Sequence, residues 1–292
     1  MTSRTTILLA VLGLCCGCGG WLTAYNECNA DPGERLGRTT VDLDVRKVTV
    51  RSGEAPIGNL VVDAMYEAAA ANCIAGSADR PCPVAAVENA GGIRATTSCG
   101  ERESIPVGPI HQADVTDLLP FATNQIVVVE VTGEELWLML ERAVSLLGQV
   151  GEAGAAGYFL QVRNISFEID CDQAPQTLSL SGDQILRRGS RVDPARVTVG
   201  GATLDLAATY PIAMNSFVAG ARDGFLALAE RNPDDSVVLV DGKMKTKEKK
   251  YVLVDGNRVS EGDVLARHVR NKETVAPIVE GRIRVLPSCT PD

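Results

Sequence analysis

Between Val41 and Leu286 the apolar residues switch spacing repeatedly and in no regular order, and that irregularity limits the fold more than any other feature. After Pro56, the residues Ile57, Leu60, Val61, Ala64, Met65 and Ala68 recur every three or four positions. This spacing puts one apolar stripe on a helix, with proline suited to its first turn. Pro83–Val87 and Ile126–Val131 are short apolar runs of the strand type. Thr132-Gly133-Glu134-Glu135 is a capping box for a second helix, which carries Leu136, Met139, Leu140, Ala143, Val144 and Leu147 on one face. Further strands are predicted within Phe159–Ile169, Arg196–Val199, Tyr210–Met214, Val237–Val240 and Tyr251–Val254, and a helix over Asp223–Arg231. Ser260-Glu261-Gly262-Asp263 caps a last helix before a final strand in Gly281–Leu286. A doubly wound sheet would need strands and helices in regular alternation. The pattern therefore predicts an α+β fold, a single layered domain of mixed β-sheets packed with helices, without internal repeats.

The amino terminus reads as an address rather than as part of that domain. A basic start at Arg4 precedes an apolar run from Thr5 to Leu14, and Cys15-Cys16-Gly17-Cys18 follows at once. Spanning a bilayer takes about 20 residues as a helix, so a run this short fits the core of a signal peptide. Residues 1–17 are expected to be a signal peptide, 18–40 a tether and 41–292 the folded domain. A small residue before cysteine resembles the bacterial lipoprotein signal, in which that cysteine is lipidated. Gly17 makes Cys18 the expected anchor, Leu14 leaves Cys15 as the alternative, and a plain secretory leader is the second reading. The expected location is the cell envelope, periplasm or exterior, with the membrane reached by the lipid anchor only.

Export fits the cysteines. Past the leader stand Cys28, Cys73, Cys82, Cys99, Cys171 and Cys289, an even set with none in a C-x-x-C pair. In an oxidising compartment such a set predicts up to three disulfides rather than zinc, although six cysteines allow 15 connectivities. Cys73 is expected to pair with Cys82 across a loop holding the turn formers Gly76, Ser77, Asp79 and Pro81. The 28 Lys and Arg against 37 Asp and Glu give a net charge of −9, which argues against a nucleic-acid partner. Only 2 His occur, too few for an ordinary two-metal hydrolase, so no metal and no cofactor are expected. His111 falls in a loop and His268 on the last helix, neither in a ligand spacing. The basic run from Lys243 to Lys250 is expected to be a solvated hairpin tip, with phosphate binding as the alternative.

A series of motifs then carries a resemblance. Arg51-Ser52-Gly53-Glu54 is followed by Ile57-Gly58-Asn59-Leu60 and by Asn89-Ala90-Gly91-Gly92-Ile93-Arg94. Leu119-Pro120-Phe121, Leu140-Glu141, Gly157-Tyr158-Phe159-Leu160-Gln161, Asn215-Ser216-Phe217 and Asp223-Gly224-Phe225 come next. Together they resemble the C-terminal, substrate-recognition domain of the 5′-nucleotidase family, over nearly all of Val41–Leu286. The family's full form carries a calcineurin-like metallophosphoesterase domain in front. The resemblance implies that Phe121 and Phe217 sandwich a nucleobase, and stacking of that kind contributes roughly 1–3 kcal/mol per base. It further implies that Arg51 and Arg94 contact ribose and phosphate, that Asp223 accepts from ribose hydroxyls and that Asn89 reads the base edge. Of only 5 Phe in the chain, two stand at these positions.

Departures from the family pattern matter as well. Its run of glycines before the carboxylate is here Gly220-Ala221-Arg222, and Ala90 replaces another glycine. Arg222 is thereby set beside the implied ribose site, where it either narrows the pocket or adds a phosphate contact. Residues 19–40 are too few to hold a metal-bearing half. The resulting expectation is an exported module that binds nucleotide or nucleoside and has no catalytic residues of its own. Two alternatives stand beside it: a nucleotide-catabolic hydrolase working with a separately encoded metallophosphoesterase chain, and an envelope scaffold whose pocket Arg222 closes.

Overall fold

The computed structural model describes residues 31–94, 96–97, 100–148 and 155–289. The leader, Cys15, Cys18, Cys28, Cys99 and residues 18–30 of the expected tether lie outside the described residues. Leaving aside the shortest strands and turns, the first main elements in chain order are β1 (Arg35–Thr39), α1 (Pro56–Ala71), β2 (Ala85–Asn89), β3 (Gly108–His111) and α2 (Gln112–Leu118). Next come β4 (Ile126–Thr132), α3 (Gly133–Ala143), β5 (Leu160–Arg163), β6 (Ile165–Ile169), β7 (Thr198–Val199) and β8 (Ala202–Thr203). The last are β9 (Thr209–Asn215), β10 (Lys250–Tyr251), α4 (Glu261–Lys272), β11 (Thr274–Val275) and β12 (Ile283–Val285).

The central sheet has the order β10-β4-β9-β2-β5. Its β9–β2 pair is parallel and the other pairs are antiparallel. Ile57, Leu60, Val61, Ala64 and Met65 of α1 are buried, and the helix packs on β2 and β5, so the predicted stripe faces the sheet. Pro56 occupies the first turn of α1. The predicted capping box opens α3: Glu135 N–H donates to Thr132 Oγ1 at 3.2 Å, and Thr132 N–H donates to Glu135 Oε2 at 2.7 Å. Two smaller sheets, β11-β1-β3 and β8-β7-β6-β12, each combine a parallel with antiparallel pairs. Mixed sheets packed with a few helices are the α+β class that the pattern predicts. No helix among the described residues is long and apolar enough to cross a membrane.

Some local expectations change. Arg35–Thr39, placed in the tether, is instead a strand paired with β3 and β11, so ordered structure begins before Val41. The single run Phe159–Ile169 is two strands, because Asn164 turns the chain at φ 57° and its amide donates to the Val84 carbonyl at 3.1 Å. Asparagine is among the few residues that adopt this conformation readily. The helix expected over Asp223–Arg231 is absent: Arg222–Gly224 and Leu226–Leu228 are separate 3₁₀ turns. Asp223 at φ 58° and Gly224 at φ 80° are both left-handed, which no right-handed helix accommodates. Cys73 is bonded to Cys82 as expected, and Cys171 to Cys289. Lys243–Met244 does form a hairpin with Leu239–Val240, but Lys245 and Lys247 of the basic run pair with Glu230 and Glu135.

Candidate functional site

Strand register gathers the implied site residues at one end of the central sheet. Ile126 pairs with Asn215, so the chain enters β4 where it leaves β9. Asn89 pairs with Leu160, so β2 ends where β5 begins. Because β9 and β2 run parallel, all four connections emerge on the same edge, and they carry Phe121, Phe217, Asp223, Arg94 and Tyr158. Cross-links hold them together. Ser216 N–H donates to the Gln125 carbonyl at 2.8 Å and Gln125 N–H to Ser216 Oγ at 3.1 Å, which clamps the Phe121 loop to the Phe217 loop. Ala90 N–H and Gly91 N–H donate to the carbonyls of Phe159 and Gly157. A Cβ on Gly91 would lie 2.8 Å from the Gly157 oxygen, so only glycine allows this approach. Arg51 is fixed from β5, where buried Gln161 donates to the carbonyls of Val50 and Gly53, both at 2.8 Å.

The five phenylalanines divide cleanly. Phe159, Phe167 and Phe225 are core residues at 3% exposure or less, while Phe121 and Phe217 keep 39% and 37% of their surface open. The Arg94 guanidinium lies 5.2 Å from the centroid of the Phe121 ring, within cation–π range. Asp223 lies at the surface, but protein packed against it raises its carboxyl above the usual range, against the opposing pull of Arg142, Arg94 and Arg51. That mutual influence brings Arg51, Arg94 and Asp223 into one electrostatic cluster. Asn89 is buried at the end of β2, where its Oδ1 accepts from Asn215 Nδ2 at 2.9 Å.

Three features escaped the motif reading. Arg142 near the end of α3 donates from Nε to the Asp223 carbonyl at 2.8 Å, with its guanidinium 3.7 Å from the centroid of the Tyr158 ring. Its signal in the sequence was a cation directly after Leu140-Glu141. Beneath the loops, Glu88 and Glu261 are fully buried, and both Glu88 oxygens accept from Asn215 Nδ2 at 3.0 and 2.9 Å. Burial pushes Glu261 up to about 8; burial and the charge of Glu261 hold Glu88 well above the usual carboxylate range. A glutamate inside the apolar run of β2 was the available clue. Third, Ala221 is buried at φ 56°, a left-handed turn that alanine accepts only at a cost. Arg222 itself is exposed, and its stem runs back along Gly220. As for the two histidines, His111 caps α2, while half-buried His268 lies 3.1 Å from Glu67 on α1.

Comparison with known proteins agrees with this geometry. Residues 35–230 match the family described as 5′-nucleotidase, C-terminal domain. The chain belongs to that family. It is 28% identical over 263 residues to the trifunctional nucleotide phosphoesterase protein YfkN of Bacillus subtilis, covering 89% of this chain and 14% of that protein. The 5′-nucleotidase of Bos taurus is 26% identical over 234 residues, which is 76% of this chain and 36% of the bovine protein. Among solved structures, the 5′-nucleotidase precursor of Thermus thermophilus superimposes with a TM-score of 0.63 and 29% identity, over 91% of this chain and 42% of that one. The chain thus spans well under half the length of each of these relatives.

Proposed function

We propose that this 5′-nucleotidase C-terminal domain is an exported, lipid-anchored module that binds a nucleotide between Phe121 and Phe217 and leaves hydrolysis to a separately encoded metallophosphoesterase. The observation that carries the reading is the exposure of these two rings at one sheet end, while the other three phenylalanines are buried. An aromatic face left open beside guanidinium groups suits a flat base with an anionic tail. The names of the relatives, nucleotide phosphoesterase and 5′-nucleotidase, support the same ligand class. Export and anchoring are supported by the basic, apolar and cysteine order of residues 1–18, and an oxidising destination by the paired cysteines. No cofactor enters this reading. Calorimetric titration with AMP tests it. Phe121→Ala and Phe217→Ala are each expected to weaken binding roughly 10- to 100-fold, in line with the stacking of one base face. An absence of AMP binding by the folded protein contradicts the proposal.

Charge favours a phosphorylated ligand over a free nucleoside. Arg51, Arg94 and Arg142 all act electrostatically on the carboxylate of Asp223, three positive groups against one negative. A phosphate monoester carries about −1.5 to −2 at neutral pH, which matches the surplus. Arg142→Ala should therefore weaken AMP binding about 5- to 10-fold while adenosine binding stays level, measured by the same calorimetry. An equal loss for AMP and adenosine would instead assign Arg142 a purely structural part.

A further inference from the structure

Asn215 is the last residue of β9 and is fully buried, with every polar atom of its side chain engaged. The backbone N–H of Val218 donates to its Oδ1 at 2.8 Å. A backbone N–H can only donate, so this bond settles which way the Asn215 amide points: oxygen to the Val218 turn, nitrogen to the interior. The two hydrogens on Nδ2 are then spent on the Glu88 carboxyl, at 3.0 and 2.9 Å, and on Asn89 Oδ1 at 2.9 Å. Asn89 in turn has its oxygen committed. Its Nδ2 donates to no described residue and lies on the side of the Gly91 turn, 3.2 Å from where a Gly91 Cβ would stand. Turning the Asn89 amide over would set donor against donor in a buried place, which such a site does not tolerate.

We infer that Asn215 is a positioning residue that makes Asn89 present its amide N–H, and so selects a base edge carrying a hydrogen-bond acceptor. The relay runs Val218 N–H to Asn215, then Asn215 to Asn89, and ends at the ligand. Val218 directly follows Phe217, so the same turn that holds a stacking ring also orients the amide that reads the edge. Glu88 serves the relay by accepting the other Nδ2 hydrogen, which holds the Asn215 amide in place from its second side. The inference rests on the nucleotide-binding reading above and adds to it the polarity of the base contact and the residue that sets it.

The test uses AMP and its 1-deaza, 3-deaza and 7-deaza analogues, each of which replaces one ring acceptor nitrogen by C–H. With the unmodified protein, one analogue is expected to bind about tenfold or more weaker than AMP, because it leaves the Asn89 donor unmet. Asn89→Ala should bind all four ligands alike. Asn215→Asp keeps an acceptor for Val218 N–H and withdraws the donor from Asn89, which frees Asn89 to turn over. In that variant the penalty for the discriminated analogue should disappear. If Asn215→Asp alone does not fold, as judged by circular dichroism, the pair Asn215→Asp with Glu88→Gln restores a donor opposite the new carboxylate and answers the same question. A folded variant that keeps the full penalty overturns the inference, as does an unmodified protein that binds AMP and all three analogues alike. Both results leave the nucleotide-binding reading standing. Failure of the folded protein to bind AMP at all overturns that reading and this inference with it.

Discussion

Replacing Cys171 and Cys289 together by serine is expected to lower the unfolding free energy by about 3–5 kcal/mol, the largest stability effect predicted for this domain. The bond closes a loop with a sequence separation of 118, and the entropy it removes from the unfolded chain grows with loop length. It also sits at a structural seam. Cys171 follows β6 and Cys289 follows β12, two strands in parallel register from Phe167 opposite Ile283 to Ile169 opposite Val285. The Cys73–Cys82 bond closes a separation of only 9, so its removal should cost less, about 2–3 kcal/mol by the same relation. Guanidinium unfolding of the two double-serine variants checks the order. A smaller loss for the Cys171–Cys289 variant than for the Cys73–Cys82 variant would contradict the account.

Stability should also fall as pH rises from about 5 to 8, because the buried acids keep protons that the unfolded chain gives up near the ordinary carboxylate value. Burial pushes Glu261 up to about 8 and Glu141 up to about 7. Between the unfolded value near 4.5 and these folded values the native state binds more protons than the unfolded state, so the derivative of stability with pH is negative in that window. Below it the acids are protonated in both states, and above it the full loss has been incurred. For Glu261 the loss is on the order of 2–4 kcal/mol, at about 1.4 kcal/mol per pH unit. His268, held below its usual value by burial, acts in the opposite direction below its ordinary value, so a variant is needed to isolate the acid. Glu261→Gln should make the decline in urea unfolding between pH 5.5 and 8.5 clearly smaller, with the remainder supplied by Glu88 and Glu141, which burial also holds above the usual carboxylate range. A decline of the same size in that variant would place its source elsewhere.

Local signals proved legible and tertiary ones did not. The stripe of α1, its opening proline and the capping boxes of α3 and α4 are complete within a few residues, and each appears as read. β1 could not be read because its partners, His111 to Gly108 and Thr274–Val275, lie far along the chain. The false helix after Asp223 arose from Phe225, Leu226, Ala227 and Leu228, all buried. A run buried on every side has no polar face to mark its period, and the left-handed pair Asp223-Gly224 gives no sign of itself in composition. The implied site residues were accessible through motifs, since each stands in a short contiguous run at or next to the end of an element. Arg142, the direction of the Asn89 amide and the Glu88–Glu261 acid pair depend on which strands lie side by side, and only the register supplies that.

The measurement that bears most directly on the central claim is a crystal structure of the protein soaked with AMP. The account predicts a base lying between the rings of Phe121 and Phe217, the phosphate toward Arg51, Arg94 and Arg142, and ribose hydroxyls donating to Asp223. AMP bound elsewhere on the domain, with the rings of Phe121 and Phe217 left unoccupied, would contradict it.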